Sequence, residues 1–271
     1  AVAAVAGAAL PAAASAGTAR LDGNVLRVEA LNGEVNHVFL SSAGSNADGP
    51  TIRISDAGLQ PGAGCFQLAG NEVGCPLNQI QSISVTLGDR NDSFDGSGFA
   101  IPMTVDGGDG DDDITGGASG DTINGGAGKD TIDPGNHQTG GSVFDTLNGG
   151  PNDDTFQLSF SRRDSADVHG GDGIDTATYA ETSTKVVATL DDQANDGDPA
   201  ANSGSGEQDN IHSDVENLEG SKTSDTLTGS DAVNVIDGEG GDDTIDGKDG
   251  GDTLTGGPGV DLLIAAPATT R

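Results

Sequence analysis

The chain has 271 residues with 45 Gly, 3% aromatic residues and no Trp, so it has few large side chains to fill a thick globular core. A thin core built from repeated aliphatic residues suits this composition better. The formal net charge of −33 opposes compaction unless cations neutralise it, and it makes nucleic acid a poor partner because phosphates need Lys and Arg.

The start of the chain, residues 1–16, has the sequence AVAAVAGAALPAAASA, which is small, apolar and uncharged. Its end, Ala14-Ser15-Ala16, fits an Ala-x-Ala cleavage site. The pattern predicts the remnant of a secretory signal peptide, and therefore a secreted, extracellular protein. The alternative is an Ala-rich flexible arm. The run is too short for a membrane span, and we place it outside the fold.

Residues 17–84 lack periodic glycines and are predicted to form a small, β-rich N-terminal cap. Apolar runs bounded by Gly and Pro predict short strands at Val25–Leu31, Val35–Ser41 and Thr51–Ser55. A cap of this kind would cover the strand edges that the end of a repeat array exposes.

The two cysteines, Cys65 and Cys75, lie in a Gly-rich part of this segment. After a secretory signal they most simply form one disulfide. A metal-binding pair and a reactive thiol are the alternatives, but no Cys-x-x-Cys spacing and no nearby His supports either.

A nine-residue repeat dominates the rest of the chain. Blocks 107–115, 116–124 and 125–133 each begin with Gly-Gly, with Asp at the sixth position and Ile at the eighth. The eighth-position residues, mostly nine apart, are Val85, Phe94, Val105, Ile114, Ile123, Ile132, Leu147, Phe156, Val168 and Ala177, then Leu218, Leu227, Ile236, Ile245, Leu254 and Leu263. Longer steps before Val105, Leu147 and Val168 indicate loops inserted into the turns.

This register divides the chain into a first repeat array at 85–178, an irregular acidic insertion at 179–219, a second array at 220–264 and a tail at 265–271. Within the insertion, Lys185–Leu190 is a plausible strand. The loop Asp191–Asp198 is acidic but lacks the bidentate Glu of an EF-hand, since the twelfth position is Asn202. We therefore predict a solvated insertion.

Each repeat combines a six-residue turn with a three-residue strand whose middle side chain is buried. If two repeats complete one coil, the sixth-position Asp side chains of successive coils stack about 4.8 Å apart. Calcium suits such a stack because it accepts six to eight carboxylate and carbonyl oxygens, whereas magnesium is stricter in geometry. Transition metals prefer His or Cys, and the four His (His37, His137, His169, His212) are scattered in the sequence.

Residues 85–264 resemble the RTX, or haemolysin-type, calcium-binding repeat family, most closely in blocks 107–115, 116–124, 125–133, 170–178 and 256–264. The resemblance implies an all-β fold, a calcium-bound parallel β-roll solenoid, with several Ca²⁺ ions held between same-side turns by sixth-position Asp and turn carbonyls. The implied metal residues are Asp112, Asp121, Asp130, Asp154, Asp175, Asp225, Asp243, Asp252 and Asp261, with the turn glycines Gly107, Gly125, Gly238 and Gly256.

The resemblance also implies which carboxylates share an ion. Asp112 would pair with Asp130, and Asp243 with both Asp225 and Asp261. Asp252 would meet the neutral Asn234, which should weaken that site. Several positions depart from the pattern: Asp121 has no evident downstream partner, Asp92, Asp154 and Asp175 lie in less regular surroundings, Ser119 replaces a Gly, and Glu239 and Lys248 replace the second Gly of their blocks.

No enzyme motif accompanies the repeats. The sequence contains no His-Glu-x-x-His, no Gly-x-Ser-x-Gly and no amphipathic segment typical of pore formation. Low hydrophobicity with high charge is typical of disorder, so order is expected to depend on metal. We therefore predict a secreted, non-enzymatic calcium-binding protein that folds with calcium. The alternatives are the folding and secretion module of a larger RTX enzyme, toxin or adhesin, and an adhesin with an unidentified extracellular surface or matrix partner.

Overall fold

The computed structural model describes residues 16–46, 49–136, 143–158, 164–199 and 208–266. These residues form a parallel β-solenoid of about eight turns, and none of them lies in an α-helix. The predicted all-β solenoid is therefore confirmed. The predicted signal segment lies outside the described residues except for Ala16. The described residues also contain no helix long and apolar enough to cross a membrane.

The N-terminal segment consists of strands that pair mostly antiparallel and one 3₁₀ helix, Leu77–Gln79. The strands are β1 (Thr18–Asp22), β2 (Val25–Glu29), β3 (His37–Asn46), β4 (Gly49–Ser55), β5 (Gln60–Pro61), β6 (Phe66–Gln67) and β7 (Glu72–Pro76). Strands β1 and β5 pair in parallel. Cys65 and Cys75 form a disulfide, as predicted. It ties the start of β6 to β7, whose Cys75 side chain is fully buried.

The first array alternates between longer and three-residue strands. They are β8 (Ser82–Asp89), β9 (Ser93–Asp95), β10 (Met103–Asp109), β11 (Asp113–Thr115), β12 (Thr122–Ala127), β13 (Thr131–Asp133), β14 (Val143–Pro151), β15 (Thr155–Gln157), β16 (Asp164–Asp172) and β17 (Thr176–Thr178). Strands β2 and β3 pair parallel with β8 and β9, so the N-terminal segment supplies the first rung of the solenoid.

The eighth-position register predicts the core correctly from Val85 to Ile245, but on the last described coils Leu254 is only half-buried and Leu263 is exposed. Ile114 lies opposite Ile132, and Val105 lies opposite Ile123, so two nonapeptides complete one coil. All four of these side chains are fully buried. Their strand neighbours point outward, because successive residues of a strand face opposite sides. The core is thus a thin double row of aliphatic side chains, as the composition predicts.

The insertion and the second array together contain only short strands. They are β18 (Val187–Thr189), β19 (Asn210–Ile211), β20 (Asn217–Glu219), β21 (Thr226–Thr228), β22 (Val235–Asp237), β23 (Thr244–Asp246), β24 (Thr253–Thr255) and β25 (Leu262–Ile264). The plausible strand at Lys185–Leu190 is thus present as β18. At the last described coil, Leu262, Leu263 and Ile264 are exposed.

The insertion does not interrupt the solenoid on one side. A 12-stranded sheet passes through it in the order β17, β20, β22, with Ala177, Leu218 and Ile236 in register. On the other side, the nine-stranded sheet ends at β19, and a four-stranded sheet begins with β18. The two arrays therefore share one continuous sheet. On the opposite side, one sheet ends and another begins within the insertion.

Candidate metal centre in the turns

The sixth-position residues of one side form a hydrogen-bonded column. We call turns 87–92, 107–112, 125–130, 149–154 and 170–175 the first turn column. In the first four of these turns, the backbone N–H of the sixth-position Asp donates to Oδ1 of the Asp one coil further on. The donor–acceptor distance is 2.8 Å for Asp92 to Asp112, Asp112 to Asp130, Asp130 to Asp154 and Asp154 to Asp175. At the start of the column the N–H of Asn36 donates to Oδ1 of Asp92 at 2.6 Å, and at its end the N–H of Asp175 donates to Oε2 of Glu216 at 2.9 Å. One carboxylate oxygen per coil is therefore used to hold adjacent coils together.

The second oxygen of each of these carboxylates has no such role. Oδ2 is buried and accepts no hydrogen bond from the described residues in Asp92, Asp112, Asp130, Asp154 and Asp175. A buried carboxylate oxygen without a donor is costly unless a cation or proton neutralises it. Burial accordingly raises the pKa of the carboxyl groups, to about 6 in Asp112, Asp130 and Asp175 and to about 7 in Asp154.

Backbone oxygens approach the same positions. A methyl group built on Gly107 would collide with Oδ2 of Asp112 and with the carbonyl oxygen of Gly125 in the next coil. The same holds at Gly149, where Oδ2 of Asp154 and the carbonyl oxygen of Gly170 converge. The first glycine of the repeat is required because a side chain there would fill an oxygen-lined cradle.

The second glycine of the repeat sets the turn conformation. Gly108, Gly126, Gly150 and Gly171 have φ between 107° and 119°, which L residues rarely adopt. The carbonyl oxygen of Gly108 approaches the α-carbon of Gly126 so closely that no Cβ would fit there. Carbonyl oxygens are therefore stacked along the same edge of the solenoid as the carboxylates.

Other turns hold their carboxylate within the turn itself. The N–H of Gly117 donates to Oδ2 of Asp121 at 2.6 Å, and the N–H of Ser221 donates to Oδ2 of Asp225 at 2.5 Å. In these capped turns both carboxylate oxygens serve the protein. The capped turns are therefore weaker candidates for an ion than the first turn column, a distinction that the repeat motif alone does not reveal.

The interpretation of Asp121 as lacking a downstream partner is wrong. Its backbone N–H donates to Oδ1 of Asp145 at 2.7 Å, and Asp145 is fully buried. The six-residue insertion displaces this Asp in the sequence but not in space, because Thr146 and Leu147 still pair in register with Thr122 and Ile123. Asp145 is followed at once by Thr146 and Leu147, so the Asp-Thr-Leu triplet was the signal that could have identified it.

In the second array, the predicted neighbours lie in register. The N–H of Asp225 donates to Oδ1 of Asp243 at 2.8 Å, and that of Asp243 donates to Asp261 at 3.0 Å. Oδ2 of Asp243 is buried and accepts no hydrogen bond from the described residues, and burial raises its pKa. Asp243 is thus the residue of this array whose environment most resembles the first turn column.

Asn234 and Asp252 also meet as predicted, through a 3.0 Å bond from the Asn234 N–H. The side-chain amide of Asn234 is already used, because Oδ1 accepts from the N–H of Ser230 at 2.8 Å and Nδ2 donates to the carbonyl of Glu216 at 2.9 Å. The neutral amide therefore fulfils a structural role that needs no cation.

The acidic loop Asp191–Asp198 is not wholly solvated, contrary to the prediction. Asp196 is fully buried, and it accepts hydrogen bonds from the N–H groups of Thr189 at 2.7 Å and Ile211 at 2.9 Å. It thereby connects β18 to β19. Burial raises the pKa of Asp196 to about 8. The two N–H donors lie on β18 and β19, which are far apart in the sequence, so the repeat pattern does not predict these bonds.

Two histidines also come together, although the sequence suggests that all four are scattered. The rings of His169 and His212 stack with centroids 3.9 Å apart, next to Asp167. His37 is exposed at the other end of the solenoid, and His137 lies outside the described residues. Parallel pairing of β16 with β19 causes this approach across 43 positions of sequence.

The geometry of the turns fits calcium. Calcium is a hard cation that takes carboxylate and carbonyl oxygens as ligands, and these are the atoms that converge in the first turn column. No significant match to the chain is found among curated proteins. The family model described as the RTX calcium-binding nonapeptide repeat matches residues 106–136, 219–254 and 238–266, in four copies. The glycine-rich turns at 106–136 and 219–266 are therefore RTX calcium-binding nonapeptide repeats, arranged as a parallel β-roll.

Proposed function

We propose that this chain is a secreted, non-catalytic protein that folds by binding several calcium ions along its turns. The observation that carries the proposal is the row of buried carboxylate oxygens in the first turn column that accept no hydrogen bond from the described residues. Carbonyl oxygens of the next coil converge with Oδ2 at Gly107 and Gly149, and neighbouring carboxylates add negative charge around Asp112 and Asp154. Such an arrangement is stable when divalent cations supply the missing positive charge.

The residues that would hold the ions are the sixth-position Asp of adjacent coils together with turn carbonyls. Asp112, Asp130, Asp154 and Asp175 are the main candidates in the first array, and Asp243 in the second. Calcium would supply two positive charges and a demand for six to eight oxygens. Asp121 and Asp225, held by their own turns, would contribute less.

Folding and metal binding would be one event, because carboxylates one coil apart are distant in the open chain. The net charge of −33 adds a repulsion that the folded state alone must overcome. A ligand that binds only the folded state stabilises it in proportion to the logarithm of its concentration. The protein would thus remain open at low calcium and become rigid at high calcium.

This dependence suits a protein that is exported. Extracellular calcium modules operate with dissociation constants of about 0.1–1 mM, which cytoplasmic calcium does not reach. The Ala-rich start of the chain and the Cys65–Cys75 disulfide support an oxidising, extracellular location. The absence of enzyme motifs from the sequence supports a non-catalytic role.

The test is far-ultraviolet circular dichroism of the chain in chelator, in calcium and in magnesium. We expect little β-structure in chelator, a cooperative gain with calcium and a smaller response to an equal concentration of magnesium. Calorimetric titration would then count the ions per chain. Equal β-content in chelator and calcium would refute the coupling of folding to binding, and a chain that retains no calcium in equilibrium dialysis would refute binding itself.

A further inference from the structure

A second kind of metal-binding chemistry lies outside the calcium turns. Strand β16 points Asp167 and His169 outward on either side of the buried Val168. Strand β19 pairs with it in parallel, with Asn210 beside Asp167 and Ile211 beside Val168. The N–H of His212 continues the ladder by donating to the carbonyl of Val168 at 3.0 Å. The register therefore places two imidazoles and a carboxylate side by side on one outer face.

The three side chains converge on one point. Nε2 of His212 lies 2.9 Å from Oδ1 of Asp167, and Nε2 of His169 lies 3.3 Å from Oδ2 of the same residue. One ligand atom from each residue lies within 4.8 Å of the other two. Ligands about 2.0–2.2 Å from a tetrahedral zinc ion are themselves about 3.3–3.6 Å apart. Small side-chain movements would therefore bring all three onto one ion.

Asp192, beside Nδ1 of His212, can hold the tautomer that a metal at Nε2 requires. Oδ1 of Asp192 lies 3.1 Å from Nδ1 of His212, and Asp192 is itself held by the N–H of Ser213 at 2.8 Å. If Nδ1–H donates to Asp192, Nε2 keeps its lone pair and directs it toward Asp167. A carboxylate that accepts from the far nitrogen of a ligating imidazole is a recurrent feature of zinc sites.

The side-chain amide of Asn210 lies between Asp167 and His212, where it is the neutral donor to both. Its Nδ2 lies 2.7 Å from Oδ1 of Asp167 and 2.8 Å from Nε2 of His212, so one amide group serves two electron pairs. An ion between these atoms would satisfy both more completely. The side chains of His169, His212 and Asp167 are 36%, 23% and 41% exposed, so an ion can reach them from solvent.

We propose that Asp167, His169 and His212 form a binding site for a divalent transition-metal ion of the zinc type, separate from the calcium turns. Imidazole nitrogen selects such ions, whereas calcium takes oxygen ligands. The ion would bridge β16 and β19 and so fasten the insertion to the end of the nine-stranded sheet. Three protein ligands would leave one coordination position for water.

The test uses the complete chain in saturating calcium, titrated with zinc chloride in a calorimeter. We expect one zinc site per chain that excess calcium does not displace. In the variants His169→Asn and His212→Asn zinc should bind at least about 100-fold more weakly, whereas Asp192→Asn should weaken it about 10- to 100-fold. His37→Asn is the matched control, because His37 is an exposed histidine remote from the cluster, and it should bind zinc like the parent chain.

Circular dichroism in calcium verifies that each variant is folded. If a histidine variant fails to fold, the visible spectrum of cobalt(II) bound to the parent chain decides the question, because imidazole-ligated tetrahedral cobalt absorbs strongly. The proposal is overturned by a parent chain that binds no zinc, by histidine variants that bind it equally well, or by a cobalt spectrum like that of the free ion. Loss of zinc binding with calcium-dependent folding intact would leave the calcium proposal untouched.

Discussion

The backbone N–H of Asp112 donates to Oδ1 of Asp130 at 2.8 Å, one full coil further along the solenoid. The other oxygen of Asp130, Oδ2, is buried and accepts no hydrogen bond from the described part of the chain. The two oxygens of one carboxylate thus have separate roles: the first joins coils, and the second faces the oxygen-lined turn. A substitution can therefore remove the second role and preserve the first.

Asp130→Asn is the substitution that separates these roles. The amide oxygen can still accept from Asp112, whereas the amide nitrogen replaces Oδ2 and removes the charge. We expect the variant to lose at least one calcium ion and to need about tenfold more calcium for folding, since calcium affinity follows the number of charged ligands. Calorimetric ion counting and a calcium titration monitored by circular dichroism measure both effects.

Asp121→Asn is the matched control. Both carboxylate oxygens of Asp121 already accept backbone N–H bonds, from Met103 at 2.7 Å and from Gly117 at 2.6 Å. Asn234 holds the same position with an amide whose Nδ2 donates to the carbonyl of Glu216, whereas in Asp121→Asn the amide nitrogen would face the N–H of Met103. The control should lose some stability and keep its ion count. An equal loss of ions in both variants would contradict the division into capped turns and the first turn column.

Calcium binding should weaken on acidification. Burial raises the pKa of Asp112 and Asp130 to about 6 and that of Asp154 to about 7, so without calcium these groups hold protons more tightly than in the open chain. Because calcium needs the ionised carboxylates, binding to chains that are already folded must release those protons. Where the folded form is populated without calcium, its calcium midpoint should rise between pH 7.5 and 5.5, by up to about tenfold per pH unit for each proton released.

Proton release can be measured directly, by titrating calcium in buffers that differ in ionisation enthalpy. In the absence of calcium the sign is reversed: carboxyl groups with a raised pKa stabilise the fold at low pH and lose that contribution as the pH rises through about 6 to 7. The chain without calcium should therefore gain β-structure on acidification. A calcium midpoint that is constant between pH 7.5 and 5.5 would contradict this assignment of the buried carboxyl groups.

Period and composition were sufficient to predict the solenoid. The spacing of nine residues identifies Ile114 and Ile132 as buried neighbours, and the structure places them opposite each other with full burial. This succeeds because each repeat makes the same local turn, so the fold is quasi-one-dimensional. The strand pairings then follow from counting alone.

Contacts that depend on how an irregular segment packs against the solenoid could not be predicted from the sequence. Asp145 joins the ladder after an insertion of six residues, and Asp196 accepts hydrogen bonds from β18 and β19, two strands of the insertion that are about 20 residues apart in the sequence. His169 and His212 become neighbours only because β19 adds to the edge of β16. Counting residues gives no information on such contacts, since each depends on tertiary placement.

Gly126 should tolerate no side chain. Its φ is 111°, and a Cβ would meet the carbonyl oxygen of Gly108 in the preceding coil. We expect Gly126→Ala to destabilise the calcium-loaded fold by more than about 2 kcal/mol, because the backbone strain and the collision add. Gly251→Ala is the control, since Gly251 has no atom within 4 Å of a built Cβ and its φ lies outside the left-handed range. It should change the free energy of unfolding by less than about 0.5 kcal/mol. Thermal unfolding in calcium compares the two, and equal effects would contradict the stacked-carbonyl interpretation.

At Glu239 and Lys248 the opposite substitution, from a side chain to glycine, can be tested. Both residues occupy the second-glycine position of the repeat, with φ of 63° and 62°. The left-handed conformation costs an L residue about 1–2 kcal/mol, of which part is offset because Gly adds freedom to the open chain. Glu239→Gly and Lys248→Gly should therefore stabilise the calcium-loaded fold by about 0.5–1 kcal/mol each, which raises the thermal midpoint by about 1–4 °C. Glu239→Ala separates charge from conformation, because it removes the carboxylate but retains Cβ. If Ala stabilises the fold as much as Gly, relief of negative charge and not relief of backbone strain is the cause.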